Sequence, residues 1–324
     1  MILAAGYGTR LWPLTVDRAK PALPFMGRPL VGYVAEYLAR YGCREVVVNL
    51  HHRPESVRAA LGDGSRFGVR LTYVEEPVIL GTSGALDNAR SFFREEPFVV
   101  INGKIATDID LDAALCTHRE AGALATLVLR PNAARERYST VNVQDGQLLG
   151  FGPHPPTSDN AGDSGAPLMF TGIQILEPRI FEFIPRAVFS HTTTDVYPQA
   201  IARGEKIAAH VAEGKWYELS TVRRYLDTSV ALMRDEGRSV ETGGGSRVEQ
   251  GAEVSDAVLW EDVRVEAGAR VRRAVLGAGV TVRRGEVFED VAVVRAELVL
   301  GSERPAKALG GESRGDNFVV KLPR

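Results

Sequence analysis

A 17-residue repeat near the C-terminal end constrains the fold most tightly. Residues 247–263 read RVEQGAEVSDAVLWEDV and residues 264–280 read RVEAGARVRRAVLGAGV, identical at ten of 17 positions. Gly251, Gly268 and Gly285 continue the period. Val248, Val254, Leu259, Val265, Val271, Leu276, Val282 and Val287 recur five or six residues apart. Three such steps make one turn of a triangular coil, in which each aliphatic side chain stacks on its equivalent one turn away. The hexapeptide pattern predicts a small parallel β-helix over residues 246–324, with Asn317–Leu322 returning as a final strand. A valine-rich sandwich would have no reason to keep the fixed period. A coil this short cannot easily bury its own ends, so it is expected to dock on the preceding domain or on another subunit. Trp260, at a repeat corner, is expected to mark a contact with a partner surface, and Gly243–Ser246 reads as a linker.

Upstream, short apolar runs alternate with amphipathic stretches. Met1–Ala5, Glu45–Leu50, Val69–Val74, Phe98–Ile101, Ala123–Leu129 and Leu168–Leu176 read as strands. Residues 30–41, Glu55–Leu61, Ser83–Phe93, Leu111–Glu120 and Tyr225–Arg234 read as helices. Strands separated by helices predict βαβ units and an α/β domain over 1–240, with a Rossmann-like, mixed but mostly parallel sheet. Ligands of such sheets bind beyond the strand C-termini. Residues 152–166 (GPHPPTSDNAGDSGA) read as a flexible surface loop.

Composition excludes several classes. The net charge of -2 over 324 residues argues against nucleic acid as a main partner. No apolar run is long enough to span a membrane, and no signal-peptide pattern opens the chain. Cys43 and Cys116 make no disulfide framework and suit a reducing cytoplasm. The histidines and cysteines have no zinc spacing. Six lysines stand against 33 arginines, so each lysine position is informative.

The strongest local signal is Leu3-Ala4-Ala5-Gly6-Tyr7-Gly8-Thr9-Arg10-Leu11, followed by Pro13-Leu14-Thr15 and Lys20-Pro21. Glycines after a first strand let backbone N–H groups approach phosphate oxygens. Arg10 and Lys20 add positive charge, one as a two-pronged donor and one as a point charge. There is no Gly-Lys-Ser/Thr of a P-loop, and Leu11 stands where a dinucleotide fingerprint needs its third glycine.

This string resembles the signature of the sugar-phosphate nucleotidyltransferases, such as mannose-1-phosphate guanylyltransferases and glucose-1-phosphate thymidylyltransferases. Asn49-Leu50-His51, Glu75-Glu76-Pro77, Leu80-Gly81-Thr82, Asn102-Gly103, Phe170-Thr171-Gly172-Ile173, Asp195-Val196-Tyr197-Pro198 and Gly214-Lys215-Trp216 follow in the family's order. The resemblance covers nearly the whole chain, and a C-terminal left-handed β-helix is common in that family. It implies a GT-A-like fold and a reaction in which a sugar 1-phosphate oxygen attacks the α-phosphorus of a nucleoside triphosphate and pyrophosphate leaves. Catalysis is then positioning and charge neutralisation, normally with Mg²⁺.

Carried over residue by residue, the resemblance implies that Leu3, Ala5, Gly6, Gly8 and Thr9 frame the nucleotide. Arg10 would bind the leaving pyrophosphate, and Lys20 the phosphates at the reacting centre. Glu76, Gly81 and Thr82 would face the base, and Asn102 the nucleotide. Thr171, Gly172 and the residue after Tyr138 would lie by the sugar. A carboxylate at Glu76 only accepts hydrogen bonds. It leans towards guanine, which offers N1–H and an amino group together, although uridine-using relatives also carry Glu there. The first guess is guanylyl transfer to mannose 1-phosphate.

Four departures cluster on the metal and sugar side. The family's first metal ligand is the Asp after Asn-Gly, and here Lys104 follows Asn102-Gly103. An ammonium cannot ligate Mg²⁺. The second metal Asp is replaced by Glu218, one methylene longer. The family's Glu-Lys-Pro, expected near 152–155, is Gly152-Pro153-His154-Pro155, and Ser139 stands for a glycine. Either Lys104 supplies the charge Mg²⁺ would bring, with Asp108 or Asp110 a displaced carboxylate or simply the polar start of a helix, or the chain binds nucleotides without turnover as a regulatory subunit. A solvated Lys104 in a dead site is the third reading. Only Met1–Ala5 precede Gly6, so the first strand is short or the start lies further upstream. His51 and His52 suit loop packing more than phosphate contact. Coil-based acyltransferases use a coil histidine, but His210 is the last one here. The coil is expected to mediate homo-oligomerisation.

Overall fold

The computed structural model describes residues 1–152 and 166–323. The reading of 152–166 as a surface loop, and the Pro153–Pro155 departure, lie outside the described residues. Contacts divide the chain into two compact units. One comprises residues 1–5, 34–51 and 63–216, the other residues 6–33, 52–62 and 217–324.

The first unit is built on a nine-stranded sheet. Its strands, in chain order, are β1 (Ile2–Leu3), β2 (Glu45–Leu50), β3 (Arg70–Glu75), β4 (Phe98–Asn102), β5 (Ala125–Pro131), β6 (Val141–Gln144), β7 (Gln147–Phe151), β8 (Leu168–Leu176) and β9 (Ile207–Val211). They lie in the order β3-β2-β1-β4-β8-β5-β9-β7-β6. β2 and β4 are apolar on both faces, as strands covered on both sides must be. The expected excess of parallel pairing is corrected. β3-β2, β2-β1, β1-β4 and β5-β9 are parallel, while β4-β8, β8-β5, β9-β7 and β7-β6 are antiparallel. The reason is β8, which runs antiparallel to both its neighbours in mid-sheet, and the β6-β7 hairpin, whose Asp145-Gly146 turn the strand–helix alternation concealed.

Helices fill the connections. α1 (Leu30–Arg40), α2 (Pro54–Leu61) and α4 (Leu111–Ala121) match the helical spacing read from the sequence. The predicted Ser83–Phe93 helix is instead α3 (Gly81–Asn88) followed by a short 3₁₀ turn at Arg90–Phe92. Asp110 caps α4, accepting from Asp112 N (2.9 Å) and Ala113 N (3.2 Å), so it is the polar helix start. The Met1 amine is buried and donates to Val99 O (2.5 Å).

In the second unit, Arg247–Val248, Arg264–Val265 and Thr281–Val282 pair in parallel at a 17-residue offset. So do Glu253–Leu259, Arg270–Leu276 and Val287–Arg295, which stack Val254, Val271 and Phe288, then Leu259, Leu276 and Val293. Each long strand bends at a residue with positive φ, namely Asp256, Arg273 and Asp290. Leu259, Val265, Val271, Leu276 and Val282 of the predicted ladder are buried, with Val254 packed against them. Val248 and Val287 are instead exposed, and Phe288 takes the ladder position in the last long strand, because it, and not Val287, pairs with Val271. One edge is covered by Asn317–Lys321, antiparallel to Val287–Arg295, and the other begins with Val240–Thr242. Gly243–Ser246 is not a linker. Gly243 N donates to Leu259 O (2.7 Å), and a Cβ at Gly243 would come within 2.5 Å of the Trp260 backbone, so this stretch is already part of a coil turn. No helix among the described residues is long and apolar enough to cross a membrane.

Candidate active site

The glycine string folds as a tight loop in the second unit. Gly8 has φ 67°, which disfavours any side chain. A Cβ there would lie 3.0 Å from Lys20 Cβ and 3.3 Å from Thr15 Cγ2. The missing side chain is thus what lets Lys20 lie against the loop. Leu11 N donates to Gly8 O (2.8 Å), closing a 3₁₀ turn over Thr9–Leu11 that buries Leu11 and leaves Arg10 exposed. Lys20 opens a second 3₁₀ turn, Lys20–Ala22, with Pro21 at its first positions. Two cations therefore flank exposed backbone at Gly6 and Tyr7, the chemistry of an anion cradle. His52 packs its ring on Tyr7 (centroids 5.7 Å).

In the first unit, Leu3 and Ala5 lead up to the loop at the end of β1, and Ala5 is buried. Glu76 is also buried, and both carboxylate oxygens are engaged. Asn49 Nδ2 donates to Oε1 (2.6 Å) and Leu80 N to Oε2 (2.9 Å). Asn49 Oδ1 in turn accepts from Ala4 N (2.7 Å). A continuous chain of bonds thus ties the end of β1 to the Leu80-Gly81 turn through Glu76. His51 Nδ1 meets Glu76 O (2.7 Å), a packing role for this histidine.

Gly81 (φ 78°) opens α3, and a Cβ on it would reach 2.3 Å from Ser190 O. Thr82 N donates to His191 Nδ1 (3.2 Å), and Thr192 N donates to Thr82 Oγ1 (2.9 Å). Sequence reasoning gave no role to Asn49 or to Ser190–Thr192. A buried asparagine ending the apolar run EVVVNL was a usable signal, since polar residues are buried only with partners. The Ser190–Thr192 segment carried no local signal, because its role comes from a contact about 110 residues away in sequence.

Among the residues expected by the sugar, the β8 register shifts between Phe170 and Ile173, bulging at Thr171-Gly172. Gly172 faces Asn102, whose Nδ2 would lie 2.2 Å from a Cβ there. Thr171 Oγ1 donates to Val128 O (2.7 Å), and Trp216 Nε1 donates to Thr171 O (3.0 Å). Tyr138 packs edge-on to Trp216 (5.6 Å). Ser139 is exposed. Lys104 is half-buried in the two-residue turn that follows β4, after the buried Gly103.

The donor set does not fit Mg²⁺. Asp108 Oδ1 accepts from Lys215 N (2.5 Å). Glu218 Oε2 accepts from Ser220 Oγ (2.9 Å) and pairs with Arg224 Nη1 (3.0 Å). Lys104 is a cation. Among the described residues no three acidic, histidine or cysteine side chains are grouped to hold a metal ion.

Comparison with known proteins identifies the family. The Nucleotidyl transferase family profile matches residues 1–235, and that of the GlmU-like, C-terminal hexapeptide family matches residues 238–291. A UTP–glucose-1-phosphate uridylyltransferase of Synechocystis sp. is 29% identical over 282 residues, covering 82% of this chain and 71% of its own. A mannose-1-phosphate guanylyltransferase of Mycobacterium tuberculosis is 28% identical over 299 residues, covering 82% and 81%. A solved Bacillus anthracis structure, described as a glucose-1-phosphate thymidylyltransferase, shares the fold with TM-score 0.62 at 24% identity, over 72% of this chain and 94% of its own. With Lys20 lying against the glycine loop, parallel strands stacked at the 17-residue offset of the repeat, and these relatives, the chain belongs to the nucleotidyl transferase family, among the sugar-1-phosphate nucleotidyltransferases.

Proposed function

We propose that the chain transfers a guanylyl group from GTP to mannose 1-phosphate and releases pyrophosphate. The packing of Lys20 against Gly8 carries this reading, because it places a point charge beside a backbone cradle. In the reaction, an oxygen of the sugar phosphate forms a bond to the α-phosphorus as the bond to the β-phosphate oxygen breaks. The electron pair leaves with pyrophosphate. Lys20 neutralises charge at the α-phosphate and Arg10 receives the leaving group. The Glu76 carboxylate, with one lone pair left on each oxygen, accepts the N1–H and 2-amino group of guanine. The Mycobacterium relative named for guanylyl transfer supports this choice; the Synechocystis one named for uridylyl transfer makes UTP the competitor to test.

Lys104 takes the place of the metal-binding carboxylate and supplies positive charge directly. Thr171, Gly172 and Ser139 border the sugar. Residues 1–240 act as the nucleotidyltransferase domain, and residues 246–324 form a left-handed β-helix that also joins subunits, which light scattering would test.

The decisive assay measures pyrophosphate release with four triphosphates and several sugar phosphates, with and without Mg²⁺, for the natural protein and Lys104→Asp. Turnover by the natural protein that ignores Mg²⁺ is expected. Absence of turnover in both, with nucleotide still bound, would sink the enzyme reading. Turnover only in Lys104→Asp would mean that one residue disables the site.

A further inference from the structure

The longest run of mismatches between the first two turns of the repeat is three residues. Trp260, Glu261 and Asp262 stand where the next turn has Gly277, Ala278 and Gly279. Trp260 is almost wholly buried, which corrects the expectation that it faces another subunit. What buries it comes from this chain. The Arg18 guanidinium lies 4.9 Å from the centre of the Trp260 ring, and Arg18 Nη1 pairs with Glu261 Oε1 at 2.6 Å. Trp260 Nε1 donates to Tyr225 Oη (3.1 Å), and Tyr225 Oη donates to Pro24 O.

These contacts bracket Lys20. Arg18 lies two residues before it and Pro24 four residues after it. Between them, Ala19 N is held by Ser56 Oγ (2.9 Å). Further back, Trp12 packs edge-on to Phe318 (5.4 Å) and joins Val16 and Val320 in a small apolar cluster. The segment bearing Lys20 is therefore fastened to the coil on both sides. Two residues of backbone leave little slack, so a shift of Arg18 must move Lys20 on Gly8.

We infer that Trp260, with Glu261, is a positioning residue for Lys20, acting through Arg18 and Tyr225, so that the coil sets the geometry of the phosphate loop. This rests on the reading of Lys20 as a phosphate ligand. An arginine held by both a ring face and a carboxylate keeps its place far better than one on a solvated surface, and an ångström of displacement at a reacting centre is costly.

The test uses Trp260→Phe, which keeps an aromatic face but is smaller and lacks the N–H donor, and Arg18→Gln. Two readouts are taken on the full chain. The first is the NMR signal of Lys20 after ¹³C-methylation of the lysines, assigned by its loss in Lys20→Arg. With six lysines the spectrum is sparse. Both variants should shift the Lys20 signal and leave the other five in place. The second is steady-state kinetics. Both variants should lower kcat at least tenfold with the sugar-phosphate KM within about twofold, and should have no further effect in a Lys20→Met background. An unmoved Lys20 signal, or an equal loss in the Lys20→Met background, overturns the inference. A shifted signal in a protein without any turnover upholds the positioning and sinks the proposed reaction instead.

Discussion

The glycine loop and the turn after β4 each carry a lysine, and they are constrained in different ways. Lys20 is fixed by packing. Its Cβ lies 3.0 Å from where a Cβ on Gly8 would be, and its neighbours are fastened on both sides. Lys104 occupies a turn whose backbone is set by Gly103, which donates to Leu3 O (2.9 Å). Changing the side chain there leaves the Gly103 backbone bond in place. A family signature survives where geometry and chemistry depend on the same atoms. It can reverse sign where only chemistry does.

The sharpest way to break this comparison is Lys20→Met. A pre-positioned charge at a reacting phosphate is worth about 2.7–4 kcal/mol, so kcat should fall about 10²–10³-fold. A fall below tenfold in pyrophosphate release would remove Lys20 from the reacting centre. Lys104→Met should cost less, on the order of tenfold to a hundredfold in kcat. The change at this half-buried side chain should cost about 1 kcal/mol or less, a shift of a few degrees at most in melting temperature. Loss of stability at Lys104 with activity retained would reverse the two roles.

Gly81→Ala asks whether the base side is also limited by packing. The added Cβ would sit 2.3 Å from Ser190 O in a left-handed conformation. Strain of about 1–3 kcal/mol should appear as a lower melting temperature, and displacement of α3 should raise the triphosphate KM. An unchanged KM would place the base elsewhere.

Much of this was legible in the sequence for one reason. The coil ladder, β2, α1, α4 and the glycine loop each carry their cause locally, in a period, a cap or a string of small residues. The direction of β8 does not, because an apolar strand reads the same in either orientation. Nor do the contacts of Trp260, Ser190 and Asn49, whose partners lie far away in sequence. Trp260 was visible as a break in the repeat, but the break could not name Arg18 as its partner. Glu76 was visible as a carboxylate, but not as one already committed to Asn49 and Leu80.

β1 serves both regions, since it leads into the glycine loop and pairs with β4, which leads to Lys104.

The smallest effect is expected at Ser139, and it tests whether the departures on the sugar side act together. Ser139 is exposed in the connection between β5 and β6. Restoring the family's glycine with Ser139→Gly removes one hydroxyl and frees the backbone locally. An exposed change of this kind shifts free energies by about 0.5 kcal/mol or less, which is roughly a twofold change in the sugar-phosphate KM. If Lys104 has rebuilt the site around its own charge, Ser139→Gly should have the same small effect in the natural protein and in Lys104→Asp. A tenfold gain confined to Lys104→Asp would mean that serine and lysine were exchanged as a pair. The turn after β4 would then be bound to its neighbours by chemistry as tightly as the glycine loop is by packing.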